Sequence, residues 1–141
     1  MQNEELKNKI LEVIKTYPVG SVATIRDEKP WVRYMAMQSG EDLTIYAPTF
    51  ASSRKVDQIK KNNSVHIAFG ADPKNYELPH VNVVGTAEIV TDLETKKKCW
   101  HEILAQFFEG PEDPGYVAIK VTPGMVEYWT GAMEPEVYKP G

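Results

Sequence analysis

The densest concentration of polar chemistry in the chain is the run Thr49-Phe50-Ala51-Ser52-Ser53-Arg54-Lys55. Hydroxyls and two adjacent cations stand where a strand-like run gives way to a helix-like one. A helix N-terminus offers unpaired N–H groups and about half a positive charge. Hydroxyls add donors, and an arginine can grip a phosphate with two parallel hydrogen bonds. A phosphate monoester suits such a site. Equally open is a plainer reading, in which Ser52 or Ser53 caps the helix and Arg54 and Lys55 are solvated. A cation in a first helical turn opposes the dipole by a few tenths of a kcal/mol, roughly, which leans toward function.

Arg33 shares a strand face with Trp31, Met35 and Met37. A cation on an otherwise apolar face needs a partner, either an internal carboxylate or an anionic ligand. In Glu127-Tyr128-Trp129, Trp129 reads as core packing or as a ring that stacks on a planar ligand. His80, on the face of Asn82, reads as polar surface or as a ligand contact. Lys96-Lys97-Lys98 reads as a solvated helix face, and Cys99 as a bystander. No Walker-type or dinucleotide-binding glycine motif is present. No serine stands in a recognisable His-Asp motif, so hydrolase chemistry has no support. One cysteine and three histidines without metal-ligand spacing leave no disulfide and no metal site.

These residues need elements to carry them. Residues 3–17 predict a helix, with Leu6, Ile10, Val13, Ile14 and Tyr17 on one face and Pro18 beyond its end. Residues 21–25, 31–37 and 43–47 predict short hairpin-joined strands. Within 49–63 the period turns helical after Ser53. Strands follow at 65–69 and 80–90, the second with Gly85 in its middle, where a glycine often marks a bulge. Thr91-Asp92-Leu93-Glu94 resembles a capping box for a helix over 93–108 that carries Trp100, Ile103, Leu104, Phe107 and Phe108. Strands at 116–121 and 125–129 are expected to be joined by a tight turn at Pro123-Gly124. About seven strands with inserted helices point to a mostly β fold, a β-barrel with peripheral helices.

The 141 residues carry 16 Lys and Arg against 20 Asp and Glu, a net charge of −4, so no basic excess exists to neutralise nucleic acid. The polar start is unlike a secretory signal, and no apolar run nears the ~20 residues that span a bilayer. One domain over 1–141, cytoplasmic, with no nucleic-acid or membrane partner, is the expectation. Large apolar residues at Trp31, Met35, Met37, Met125 and Trp129 exceed what a small barrel interior holds. Some are therefore expected to lie outside it and drive pairing of two copies, unless they sit beneath the helices instead.

Taken together, the segments resemble the pyridoxamine 5′-phosphate oxidase-related FMN-binding split-barrel superfamily, most of all its small general stress protein branch. The resemblance is carried by the first helix, by Pro30-Trp31-Val32-Arg33-Tyr34-Met35, and by Thr49 with Ser53-Arg54-Lys55-Val56. Val83-Val84-Gly85-Thr86-Ala87-Glu88, the Phe107–Pro114 stretch and Glu127-Tyr128-Trp129 extend it over nearly the whole chain. It implies an FMN-binding split β-barrel of antiparallel Greek-key type. It also implies a homodimer with the flavin at the subunit interface. Arg33, Tyr34 and Met35 match the strand whose arginine and backbone contact the flavin. Thr49, Ser53, Arg54 and Lys55 match the segment that holds the phosphate, with Ser52 beside them. His80 falls at a polar flavin contact, and Trp129 at an aromatic supplied by the second subunit.

The chain departs from the vitamin oxidases in lacking their C-terminal Arg-x-His element, since it runs Pro135-Glu136-Val137-Tyr138-Lys139-Pro140-Gly141. A flavin-dependent oxidoreductase of unassigned substrate, electron donor and acceptor is the expectation. The alternative is a non-catalytic module that stores or senses a flavin, haem or another planar or phosphorylated ligand.

Overall fold

The protein is described by a computed structural model over residues 3–75, 77–131 and 133–140; Met1, Gln2 and Gly141 of the terminal segments lie outside the described residues. The chain runs α1 (Glu4–Thr16), β1 (Val19–Arg26), β2 (Lys29–Ala36), β3 (Gln38–Ser39), β4 (Ile45–Phe50), α2 (Arg54–Lys61), β5 (Ser64–Gly70) and β6 (His80–Val90). It continues with α3 (Leu93–Cys99), a 3₁₀ turn (Glu102–Gln106), β7 (Tyr116–Trp129) and β8 (Glu136–Tyr138). Every strand pairing is antiparallel. The order is β2-β1-β5-β6-β7-β4-β3, with β8 added beside β7. Because β4 returns to lie beside β7 of the β5-β6-β7 meander, the sheet is a Greek key. It curls into a half-barrel. The edge strand β2 comes near β4, next to the other edge strand β3, without pairing with it, which leaves the barrel split.

Helix α1 forms as its periodicity predicts. Leu6, Ile10, Val13 and Ile14 are buried, and the Asn3 side chain accepts from the Leu6 N–H at 2.9 Å. Its apolar stripe packs into a core with Val22, Ile45, Ile67, Val81, Val83, Ile119 and Val121. In β1 and β5 alternate residues face that core. The β1-β2 turn places Asp27 and Glu28 at φ 51° and 62°, the two-residue geometry whose twist matches the flanking strands. No helix among the described residues is long and apolar enough to cross a membrane.

Three expectations are corrected. Pro123-Gly124 is not a turn between strands. Strand β7 is continuous and pairs with β6 on both sides of this point, and the register slips between Val84 and Gly85 so that Gly124 is left over. That slip is a bulge, which tolerates a proline without an N–H. A Cβ on Gly85 would stand 2.6 Å from the Thr122 carbonyl oxygen, so glycine is required where the strands bend together. The helix predicted over 93–108 breaks after Cys99, capped by Asp92 rather than Thr91. In one straight helix Trp100 and Phe108 would lie about 12 Å apart along the axis. The break instead brings both rings onto Tyr116, at centroid distances of 5.6 and 5.1 Å. It also leaves Ile103 and Phe107 exposed. Lys96 is not solvated. It is buried, its Nζ donates to the Asp113 carbonyl at 3.0 Å, and the Tyr116 hydroxyl donates to the Lys96 carbonyl at 2.8 Å.

Candidate functional site

The polar residues of the 49–55 run converge because β4 ends at Phe50 and α2 begins four residues later. Ser53 takes the N-cap position, yet its hydroxyl makes no cap bond. It lies 3.5 Å from the Thr49 hydroxyl, which in turn accepts from Lys55 Nζ at 2.9 Å. Ser52 is exposed on the preceding turn and Arg54 is exposed at the helix start.

Arg33 joins this group from the edge strand β2, whose outer backbone edge has no partner strand. Its side chain points inward, half-buried, as do Met35 and its neighbour Met37, whereas Val32, Tyr34 and Ala36 point out. Met35 packs against the core and Met37 is buried there. On β2 the large side chains left in solvent are therefore not Met35 but Val32 and Tyr34 on the opposite face, with Trp31 at the edge under Arg26, while Met125 of β7 borders the outer groove.

The Arg33 guanidinium is held entirely by neutral acceptors. Nη1 donates to Thr24 Oγ1 at 2.7 Å, Trp31 O at 3.1 Å and Val22 O at 3.2 Å, and Nη2 donates to Gln58 Oε1 at 3.1 Å. Gln58 Oε1 also accepts from the Thr24 hydroxyl at 2.6 Å. Among the described residues no carboxylate stands within salt-bridge distance of Arg33, Arg54 or Lys55. Burial, with Arg54 adding to it, holds the Arg33 pKa below its ordinary value. Burial, and then the charge of Arg33, likewise pulls Lys55 below its usual range. Three cations, two hydroxyls and a helix start without a side-chain cap are thus grouped with no anion among the described residues beside them, an arrangement whose chemistry suits a compact polyanion.

His80 and Trp129 lie elsewhere in the same chain. They face each other across β6 and β7 with rings 3° from parallel and centroids 6.1 Å apart. Trp129 Nε1 donates to Glu127 Oε1 at 3.3 Å, and Asn82 Nδ2 reaches the same oxygen at 3.5 Å. Thr49 pairs with Val117, so Trp129 stands twelve residues further along β7. That is roughly 40 Å of strand. Along β7, Trp129 and the Thr49 end of the site are thus at opposite ends of the strand. Between β1 and β7, on the outer face, runs a groove of about 400 Å³ bordered by Ala23, Val32, Asn82, Met125 and Glu127.

Thr24 and Gln58 are the members of the cluster that the residue pattern does not single out. The available signal is their polarity at positions whose neighbours in the alternation, Val22 and Ile59, are core residues. Among the described residues no group of three or more His, Cys, Asp or Glu could hold a metal ion.

Comparison with known proteins places this architecture. The family model described as pyridoxamine 5′-phosphate oxidase matches residues 6–130. General stress protein 26 of Bacillus subtilis (strain 168) is 37% identical over 123 residues, which is 87% of this chain and 87% of that protein. The crystal structure of general stress protein 26 from Bacillus anthracis str. Sterne superposes with a TM-score of 0.84 at 31% identity, over 96% of this chain and 98% of that one. A Clostridium acetobutylicum protein related to general stress protein 26 shares the fold with a TM-score of 0.80 at 23% identity, over 97% and 96%. With the family model spanning most of the chain and its split barrel shared by these relatives, the chain belongs to the pyridoxamine 5′-phosphate oxidase family.

Proposed function

We propose that the protein binds FMN and acts as a flavin-dependent oxidoreductase, its substrate unassigned. The observation that carries this reading is that Lys55 sits on Thr49 beside Ser53 while Arg33 lies close enough to be felt by Lys55 and to feel Arg54, with no carboxylate within salt-bridge distance of the three among the described residues. A terminal phosphate dianion supplies the missing charge and accepts from the hydroxyls and the first N–H groups of α2. FAD replaces that terminus with a bulkier diester, and riboflavin lacks it. Tyr34 stands exposed beside the open backbone edge of β2, which supports that strand as the rim along which a planar ring is held. When bound, FMN supplies hydride and electron transfer, while the chain supplies position, charge and shelter from water.

The homodimer belongs to the same proposal. Val32 and Tyr34 are exposed side chains at 65% and 81% on the outer face of β2, and Val32 borders the outer groove. A twofold pairing across that face would cover them and bring Trp129 of the partner subunit toward the flavin. His80, stacked on Trp129, goes with it. We place the working protein in the cytoplasm as a single domain.

Titration of the flavin-free protein with FMN, FAD and riboflavin tests the site, with FMN expected to bind tightest. Equal affinity for riboflavin and FMN removes the phosphate reading. Light scattering during size-exclusion chromatography tests the dimer, and a monomeric mass with FMN fully bound defeats a shared site. Turnover of the FMN-loaded protein with a nicotinamide nucleotide, with and without oxygen, separates an oxidoreductase from a binding module.

A further inference from the structure

We infer that Gln58, seated on Thr24, is a positioning residue that aims Arg33 at the phosphate while leaving its charge unspent. The inference rests on the phosphate reading above and deepens it. Gln58 lies one helical turn beyond Arg54 and three residues beyond Lys55, so it stands on the face of α2 that carries the cluster into the barrel. It is buried, as is Thr24. A single oxygen, Gln58 Oε1, takes both the Thr24 hydroxyl at 2.6 Å and Arg33 Nη2 at 3.1 Å, while the same hydroxyl takes Arg33 Nη1 at 2.7 Å. This closed triangle ties the edge strand β2 to the helix that presents Ser53, Arg54 and Lys55.

The choice of amide is what carries the argument. Glutamate has the same length and the same acceptor oxygen, and beside an arginine in a partly buried site it would form the stronger bond. It would also cancel the charge of Arg33. An amide orients the guanidinium by hydrogen bonds alone and leaves three positive charges for one dianion. A merely structural role, satisfying a buried hydroxyl and a guanidinium, is served as well by glutamate as by glutamine. A role in phosphate binding is not.

The experiment compares the affinities of the full chain for FMN and for riboflavin in the unsubstituted protein and in Gln58→Glu. In the unsubstituted protein FMN is preferred. In Gln58→Glu, riboflavin affinity is expected to hold while FMN affinity falls roughly ten- to hundredfold, so that the preference largely disappears. Thermal stability is expected to be no lower, because the new carboxylate pairs with Arg33. A preference that survives intact in Gln58→Glu overturns the role of Gln58. Equal affinities in the unsubstituted protein overturn the phosphate reading and this inference with it. Should Gln58→Glu fail to fold, Thr24→Val and Gln58→Met decide in the same assay. Each removes one anchor of Arg33 without adding charge. A selective loss of FMN affinity, recovered in Thr24→Ser, supports the inference, and an unchanged FMN preference overturns it.

Discussion

Arg54 offers the sharpest test of the cation cluster, because removing it should move stability and ligand affinity in opposite directions. Arg54 is exposed, forms no ion pair among the described residues, and stands in the first turn of α2. A cation there opposes the helix dipole by about 0.3–1 kcal/mol. It also acts on Arg33, whose charged form it disfavours. Alanine removes both penalties and has the better helix propensity by a few tenths of a kcal/mol, approximately. Arg54→Ala is therefore expected to raise the stability of the flavin-free protein by about 0.5–1 kcal/mol, a rise in Tm of roughly 2–4 °C for a domain of this size. FMN affinity should move the other way. A charge-assisted hydrogen bond to phosphate contributes about 1.5–3 kcal/mol, so Kd should rise by roughly ten- to a hundredfold. Differential scanning calorimetry of the flavin-free protein gives the first quantity, and quenching of flavin fluorescence gives the second. A flavin-free Tm that falls by more than about 2 °C would mean that Arg54 is a structural cation. FMN affinity within about twofold of the unsubstituted protein, well inside the effect of one such bond, would mean that it is only solvated.

Three further outcomes follow from the same structure. FMN affinity should weaken as pH climbs through the depressed pKa of Lys55 toward its ordinary 10.5, since the bound dianion favours the charged amine; over that window the flavin-free protein should gain stability, because its unfolded state holds more protons, and titrations and melts across alkaline pH check both signs. The Tyr116 phenol, buried and donating to the Lys96 carbonyl, is pushed up to about 12, so stability should fall as pH rises from 10 toward 12; Tyr116→Phe should abolish that slope at a cost of about 1–2 kcal/mol, read by urea unfolding. Gly85→Ala should cost about 1–3 kcal/mol, because its Cβ meets the Thr122 backbone oxygen at 2.6 Å, and an unchanged unfolding midpoint would show that the bulge accommodates a side chain.

What the sequence determines by itself is what neighbours along the chain can decide. Helix α1 is legible because its apolar spacing and the Pro18 beyond its end all lie within eighteen residues. The start of α2 at Ser53-Arg54-Lys55 and the bounds of β6 are legible for the same reason, as is the grouping of Arg33 with Met35 and Met37 on one face of its strand, since alternation fixes which residues travel together but not which way the face turns. The family resemblance extends this reach, because order and spacing along the chain survive where contacts cannot be seen.

The tertiary structure decides what depends on residues far apart meeting. Whether Arg33 faced a carboxylate or neutral groups turned on Thr24 and Gln58, one on a neighbouring strand and the other 25 residues away on a helix. Lys96 is solvated by local pattern and buried in fact, because the loop before β7 folds back to offer it the Asp113 carbonyl. The break after Cys99 answers to Tyr116, which draws Trp100 and Phe108 to one point, and no capping rule within the segment encodes that demand. Pro123-Gly124 carries the local chemistry of a turn, yet β6 pairs on both sides of it and carries the strand through it as a bulge. In each case the local preference is of the order of 1 kcal/mol, and burial of side chains against a distant partner outweighs it.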